Sequence, residues 1–578
     1  MSRQKSLVAL VSAPLLAALV GAVAPSASAQ PAAGGTIEYA ALTANGASPG
    51  AAEAELRAAG ATIVRRNDAV GLFTVTAPAA GFARRLAGSP SVTVAPASRP
   101  VGHAPKESPR ARDEVERENR LGGQASAAAA QPRSKPAQGA GLDPLDGQLW
   151  GLASVRADLA RERQPGDRRV RVGVLDTGVD GTHPDIAPNF DRARSRNFTR
   201  DIPFDELGQQ VDGPCEFRGC VDPADHDDNG HGTHVAGTIA AAANGLGISG
   251  VAPGVSIVNI RGGADSGYFF LQPVVDALTY AGDSGLDVVN MSFFVDPWLF
   301  NCAANPADSP EEQAQQRLIV TAVSRALEYA HRKGVTNVVA LGNQHMDLGA
   351  PQPDLVSPNF PAGTEHSRDI DNESCLSMPV EGPDTITVAA FGPSQAKADY
   401  SSYGTEQISV SAPGGYFRDF FGTSLHRTNE NMILSTMPRN VGEAEGVIDA
   451  NGDITPEGVE LGVQKDCASD GVCGYYQFLQ GTSMATPHAV GVAALIVSQY
   501  GTIHNGQSSL DPDAVQRVLE GTAAKIPCPT PRTVDYLDEG RDETFTATCD
   551  GTLDFNGFYG HGAVDAFAAV TRGAAFLG

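Results

Sequence analysis

From residue 144 onward the chain repeats one pattern, a short and almost uninterrupted apolar run followed by a longer segment with helical spacing. The apolar runs fall at 170–175, 256–261, 287–294, 335–341, 385–390 and 408–412, and the helical segments at 232–243, 273–281, 311–333 and 483–499. Within each run Val, Ile, Leu and Ala occupy both alternating sets of positions, so neither face of the strand meets water. Strands buried on both faces need a covering layer on each side, and strands separated by helices pair in parallel. The pattern predicts an α/β fold, a parallel-sheet sandwich with ligand sites at the carboxyl ends of its strands. With 42% hydrophobic residues the chain can build a large core, which excludes global disorder.

Four segments are expected. Residues 1–29 read as a signal peptide: Arg3 and Lys5 precede an apolar stretch from Leu7 to Val23, and Ala27-Ser28-Ala29 gives a small-residue cleavage site. No later stretch has the roughly 18 apolar residues a membrane helix needs, so no membrane is expected after signal removal. Residues 30–101 show the order strand, helix, strand, strand, helix, strand, a small ferredoxin-like α+β unit. Residues 102–143, rich in Ala, Pro, Gln, Arg and Glu, read as a solvated, protease-accessible linker. Residues 144–578 form the large domain. The formal charge of −25 excludes a nucleic-acid binder. It divides into +5 for residues 1–143 and −30 for the remainder, and the opposite signs suggest that charge helps the two parts dock.

Three motifs fall at strand ends and helix starts. The first strand runs into Asp176-Thr177-Gly178, Asn229-Gly230-His231-Gly232-Thr233-His234 opens one helix, and Gly481-Thr482-Ser483-Met484-Ala485-Thr486-Pro487-His488 opens another. Together they supply a carboxylate, an imidazole and a hydroxyl. A serine hydroxyl is a weak nucleophile at neutral pH; it needs a base within reach, and the base needs a third group to hold its tautomer. Singly, each residue has a plainer reading, Asp176 as a turn former and Ser483 as a helix cap. Taken together in this order they favour a nucleophilic triad of Asp176, His231 and Ser483. His234 and His488 read as packing residues.

The three blocks, DTGVDGTHPD, NGHGTHVAG and GTSMATPHAVG, closely resemble the signatures of the subtilisin-like serine proteases, the subtilases. The resemblance covers roughly residues 148–575 and implies a subtilisin-like sandwich acting as a serine endopeptidase. It assigns Ser483 as nucleophile, His231 as general base and then acid, and Asp176 as its orienting partner. Val338-Val339-Ala340-Leu341-Gly342-Asn343 resembles the segment carrying the family's oxyanion-stabilising Asn, which points to Asn343 with the Ser483 backbone N–H. The 30–101 unit resembles the family's inhibitory propeptide. The resemblance also implies a substrate-binding wall at Ser292, Phe293 and Phe294, where Phe294 replaces a glycine, and an opposite wall at Ser266, Gly267 and Tyr268. A structural Ca²⁺ is implied at Asp185, Asn244, Ala242, Leu246 and Ile248, with Gln148 adding an oxygen. The acidic run Asp222, Asp225, Asp227, Asp228 reads as a solvated loop.

Insertions at 200–226 and 437–478 are expected to rim the cleft. Close spacing suggests the disulfides Cys215–Cys220, Cys467–Cys473 and Cys528–Cys549, leaving Cys302 with Cys375, one of 105 connectivities. The expectation is a secreted, monomeric serine endopeptidase with protein or peptide substrates and no organic cofactor. It is made as a zymogen whose propeptide inhibits it and is removed by autoproteolysis near 142–148. A binding scaffold on an inactive protease fold is the alternative of a different class, and a narrow processing protease the alternative within the same class. An α/β-hydrolase esterase is disfavoured because the Ser483 context lacks the G-x-S-x-G elbow.

Overall fold

The computed structural model describes residues 35–96, 115–120 and 143–578 apart from 206, 505 and 506. The signal-peptide reading and most of the linker lie outside the described residues.

The small unit has the expected order: β1 Thr36–Thr43, α1 Pro49–Ala58, β2 Thr62–Asn67, β3 Leu72–Pro78, α2 Phe82–Leu86 and β4 Val92–Pro96. Its antiparallel sheet runs β2-β3-β1-β4. Ser48 caps α1 by accepting from the Ala51 N–H, with Pro49 at the first helical position. The period of two along β1 and β3 divides the sheet's faces. Ala41, Phe73 and Val75 pack with Leu56 and Phe82 in the unit's own core, whereas Leu42 and Leu72 join the core of the large domain.

In the large domain, β5 Arg171–Leu175, β6 Arg196–Asn197, β7 Ser256–Arg261, β8 Val288–Met291, β9 Thr336–Ala340, β10 Thr385–Phe391 and β11 Val410–Pro413 form one parallel sheet. Its order is β11-β10-β9-β8-β5-β7-β6. Alternate residues face opposite layers: Val288 and Val338 pack on one side, and Val289 and Val339 on the other. The first layer holds α3 His231–Ala240 and α6 Thr482–Tyr500; the second holds α4 Leu271–Asp283 and α5 Pro310–Arg332. Helix α6 is buried on all sides from Thr482 to Val497, which fits its apolar composition all round. A capping box of Ser309 and Glu312 fixes the start of α5.

The small unit lies on α4 and α5. Arg65 pairs with Asp276 at 2.8 Å, Asn67 donates to Asp276 at 2.9 Å, and Arg325 donates to the Thr43 carbonyl at 2.9 Å. All four expected disulfides are present.

Three expectations change. Strand β8 ends at Met291, short of 294, because Phe293 turns inward and stacks on Phe269 with centroids 4.0 Å apart. The 437–478 insertion belongs to a three-stranded antiparallel sheet of β12 Ile433–Met437, β13 Gln464–Cys467 and β14 Cys473–Leu479. Residues 115–120, read as solvated linker, are docked on the large domain with Glu116, Glu118 and Asn119 buried. Charged side chains raise the apparent solvation of a sequence, yet here they are buried by pairing with charges of the domain.

Candidate active site

Asp176 follows the C-terminal end of β5, and His231 begins α3. The two elements meet because Gly232 has no side chain: a Cβ there would lie 2.1 Å from the Gly178 carbonyl oxygen. His231 Nδ1 is 2.7 Å from Asp176 Oδ1, and the Asp176 side chain is fully buried. The same oxygen accepts the Thr177 N–H at 2.8 Å, which fixes the carboxylate's rotation.

Ser483 sits in the first turn of α6. Pro487 lacks an N–H, so the Ser483 carbonyl has no helical donor four residues on. The Ser292 hydroxyl takes that place, donating to it at 3.4 Å, and the Ser483 hydroxyl donates to the Ser292 carbonyl at 3.5 Å. This exchange ties the hydroxyl-bearing turn to the end of β8. Asn343, just past β9, accepts at Oδ1 from the Thr482 N–H at 2.9 Å and its hydroxyl at 2.8 Å. With Oδ1 so held, Nδ2 faces Gly481, where a Cβ would lie 3.3 Å away.

His231 Nε2 faces the Glu116 carboxylate at 3.6 Å. Burial lowers the His231 pKa, but the Asp176 and Glu116 carboxylates outweigh it and push it up to about 10. His234 and His488 are held by backbone carbonyls. His234 Nε2 lies 3.0 Å from the Ile433 carbonyl and 3.2 Å from that of Gln477, joining β12 to β14, and burial pulls it down to about 3. His488 donates from Nδ1 to the Met484 carbonyl, and burial pulls it down to about 4.

His231, Ser483 and Asn343 open onto a cleft of about 820 Å³. Ser292, Phe293, Phe294, Ser266, Gly267 and Tyr268 all line it. Phe293 is otherwise absorbed in the core, and the Tyr268 hydroxyl donates to the Asn359 carbonyl at 3.2 Å. Sequence reasoning missed the other flank. Gln480, Arg418 and Arg541 hold 115–120, and His345 stacks on Phe545 with centroids 3.7 Å apart. Arg541 and Phe545 come from the loop closed by Cys528–Cys549, far in sequence from every motif.

The expected calcium ligands converge only in part. Asp185 accepts the Ile248 N–H at 3.0 Å, the Tyr476 hydroxyl at 2.7 Å and the Asn244 amide at 3.2 Å. The Asn244 oxygen is taken by the Leu246 N–H and the Ala242 N–H is bonded to the Asp185 carbonyl. Donors therefore surround Asp185, whose pKa burial pushes up to about 7; Gln148 lines a separate crevice beside Trp150. This oxygen set does not fit a cation while the Tyr476 hydroxyl is there. Acidic groups gather elsewhere: Asp201, Glu216 and Asp265 bring carboxylate oxygens within 4.8 Å of one another, as do Asp222, Asp228 and Asp265, with the Arg261 guanidinium paired to Asp222 and, at 2.5 Å, to Asp265. Both oxygens of the buried Asp201 lack a hydrogen-bond donor among the described residues, although Arg261 lies 3.6 Å from one.

A model of the subtilase family matches residues 167–562. Subtilisin DY of Bacillus licheniformis is 26% identical over 377 residues, covering 65% of this chain and 92% of that protein. Fervidolysin of Fervidobacterium pennivorans is 28% identical over 392 residues, which is 66% of this chain but only 41% of fervidolysin. Among solved structures, the epidermin leader peptide processing serine protease from Staphylococcus aureus shares the fold. Its TM-score is 0.58 at 18% identity, covering 93% of this chain and 99% of that one.

Proposed function

Because the chain belongs to the subtilase family and is a serine endopeptidase, we propose that Asp176, His231 and Ser483 are its catalytic triad and that it is made as a secreted, self-processing zymogen. The observation that carries this reading is the buried 2.7 Å contact between His231 and Asp176 at the mouth of the cleft that Ser483 opens onto.

Asp176 holds the Nδ1–H tautomer, which leaves Nε2 as the base. His231 Nε2 takes the Ser483 proton as Oγ attacks the substrate carbonyl. Asn343 Nδ2 and the Ser483 N–H receive the developing oxyanion. The imidazolium then gives its proton to the leaving amine, and a water hydrolyses the acyl-enzyme by the reverse route. Phe294 on the wall, in place of the family's glycine, favours a restricted set of substrates over broad digestion.

The zymogen reading is supported by the small unit's contacts with α4 and α5 and by 115–120 crossing the cleft. With Glu116 against His231, the first intramolecular cut is proposed beside residue 116, with trimming on toward 142–148. Secretion is supported by the signal-like start and the four disulfides, which belong to an oxidising compartment. Among the described residues no helix is long and apolar enough to cross a membrane. A structural calcium is proposed at the acidic group around Asp201.

N-terminal sequencing of wild-type and Ser483→Ala protein tests the proposal. The wild type is expected to lose residues up to at least the cleft-crossing segment, while the variant stays uncut and unlabelled by a fluorophosphonate. Processing that continues unchanged in Ser483→Ala would refute self-cleavage.

A further inference from the structure

Residues 115–120 are held mainly by charge. Arg117 and Arg120 both pair with Glu445, the latter at 2.6 Å, and Asn119 donates to Asn429 at 3.0 Å. The Gln480 N–H donates to the Glu116 carbonyl at 3.1 Å and its side-chain amide to the Val115 carbonyl at 3.0 Å. Glu116 thus lies along the residues that lead into Ser483. In chain order residue 118 follows the residue that faces His231, so the proposed cut beside residue 116 puts Glu118 on the leaving-amine side.

There the Glu118 carboxylate meets three donors: Arg418 Nε at one oxygen, and at the other Arg541 at 3.1 Å and the Gln480 amide at 2.9 Å. All four side chains are largely shielded from water; Glu118 is 4% exposed and the two arginines 10% and 18%. Asp399 is the only other carboxylate paired with these guanidiniums among the described residues. Glu539, nearby, has its carboxyl engaged by the Tyr416 hydroxyl. When 115–120 leaves, two forked guanidiniums share one buried carboxylate, and a second carboxylate is what restores the pairing.

We propose that Arg418, Arg541 and Gln480 form a carboxylate-binding subsite of the substrate cleft, selecting an acidic side chain on the leaving-group side of the cut bond, at the place the precursor fills with Glu118. Residues 115–120 are then a built-in occupant that mimics the preferred substrate. The inference rests on the endopeptidase reading above.

The test is cleavage of a peptide library by the mature enzyme, with every cut mapped by mass spectrometry. Asp and Glu are expected to be enriched at one fixed position C-terminal to the cut. In the best peptide, Glu→Gln at that position should lower kcat/KM about 10- to 100-fold, the range for losing hydrogen bonds to a charged group. Changing the peptide leaves the enzyme's fold untouched. Arg541→Gln should bring the ratio of kcat/KM for the Glu and Gln peptides toward one. Efficient cleavage with no acidic preference on that side, or with one only on the other side, overturns the subsite. Absence of all cleavage and of fluorophosphonate labelling instead overturns the endopeptidase reading.

Discussion

Replacing Glu116 by Gln isolates what the cleft-crossing segment does to the catalytic base. In the docked state His231 lies between two carboxylates, with Asp176 at 2.7 Å and Glu116 at 3.6 Å. At an effective dielectric constant of about 20, a unit charge at that distance is worth about 4–5 kcal/mol. At 1.36 kcal/mol for each pH unit, neutralising Glu116 moves the imidazolium's titration down by up to about three pH units. The sign has a consequence for docking. The His231 pKa, about 10 when docked, lies above the ordinary imidazole value of about 6.5. Asp176 raises the base whether the segment is docked or not, so only the part of the rise due to Glu116 is linked to docking. Docking is therefore fully supported below the undocked value. It weakens by about tenfold for each pH unit as pH rises toward the docked value, because one proton is released on undocking. The assay is NMR titration of the His231 ring protons in the uncleavable Ser483→Ala precursor, with and without Glu116→Gln. The first protein is expected to titrate near pH 10 and the second two to three pH units lower. Midpoints within half a pH unit of each other would refute the claim that Glu116 holds the base protonated.

Three further outcomes are expected. Asn343→Ala should lower kcat about 10²–10³-fold with little change in KM, the cost measured for the corresponding donor in subtilisin; an effect confined to KM in steady-state kinetics would contradict an oxyanion role. Chelating calcium from the mature enzyme should lower its Tm, and Asp201→Asn should abolish that dependence while Asp185→Asn preserves it. The opposite pattern would return the ion to Asp185. Replacing Cys528 and Cys549 by Ser opens a loop with a sequence separation of 21 and should cost about 3 kcal/mol, read as a lower denaturation midpoint. An unchanged midpoint would show that packing alone holds the loop carrying Arg541.

The sheet was legible because each of its long strands is apolar on both faces, a pattern few other structures produce. The motifs around Asp176, His231 and Ser483 stand out in the sequence because each lies beside glycines that close packing requires, as Gly232 against the Gly178 carbonyl shows. Boundaries failed where tertiary contacts override local pattern. The apolar run after Met291 continues in sequence, but Phe293 leaves the strand to stack on Phe269. The surroundings of Asp185 were hidden for a related reason. Tyr476, on a strand inside an insertion, puts its hydroxyl on Asp185, and nothing near Asp185 in sequence announces a donor from almost 300 residues away.

Hardest to read was the flank of the cleft holding 115–120. Val115-Glu116-Arg117-Glu118-Asn119-Arg120 has the composition of a solvated linker, and by composition alone that reading is sound. Its burial depends on partners at 418, 445, 480 and 541, which only the folded chain brings together. A charged segment in isolation gains nothing from leaving water; opposite a preformed array of the complementary sign, the same charges become the reason it docks. That difference also explains why such a segment can be temporary. An apolar plug would leave an exposed apolar cleft once removed, whereas a charge-held one leaves a polar subsite that remains solvated and ready for a substrate of matching charge. The features that hid the segment in the sequence are thus those that let one flank of the cleft serve both precursor and substrate.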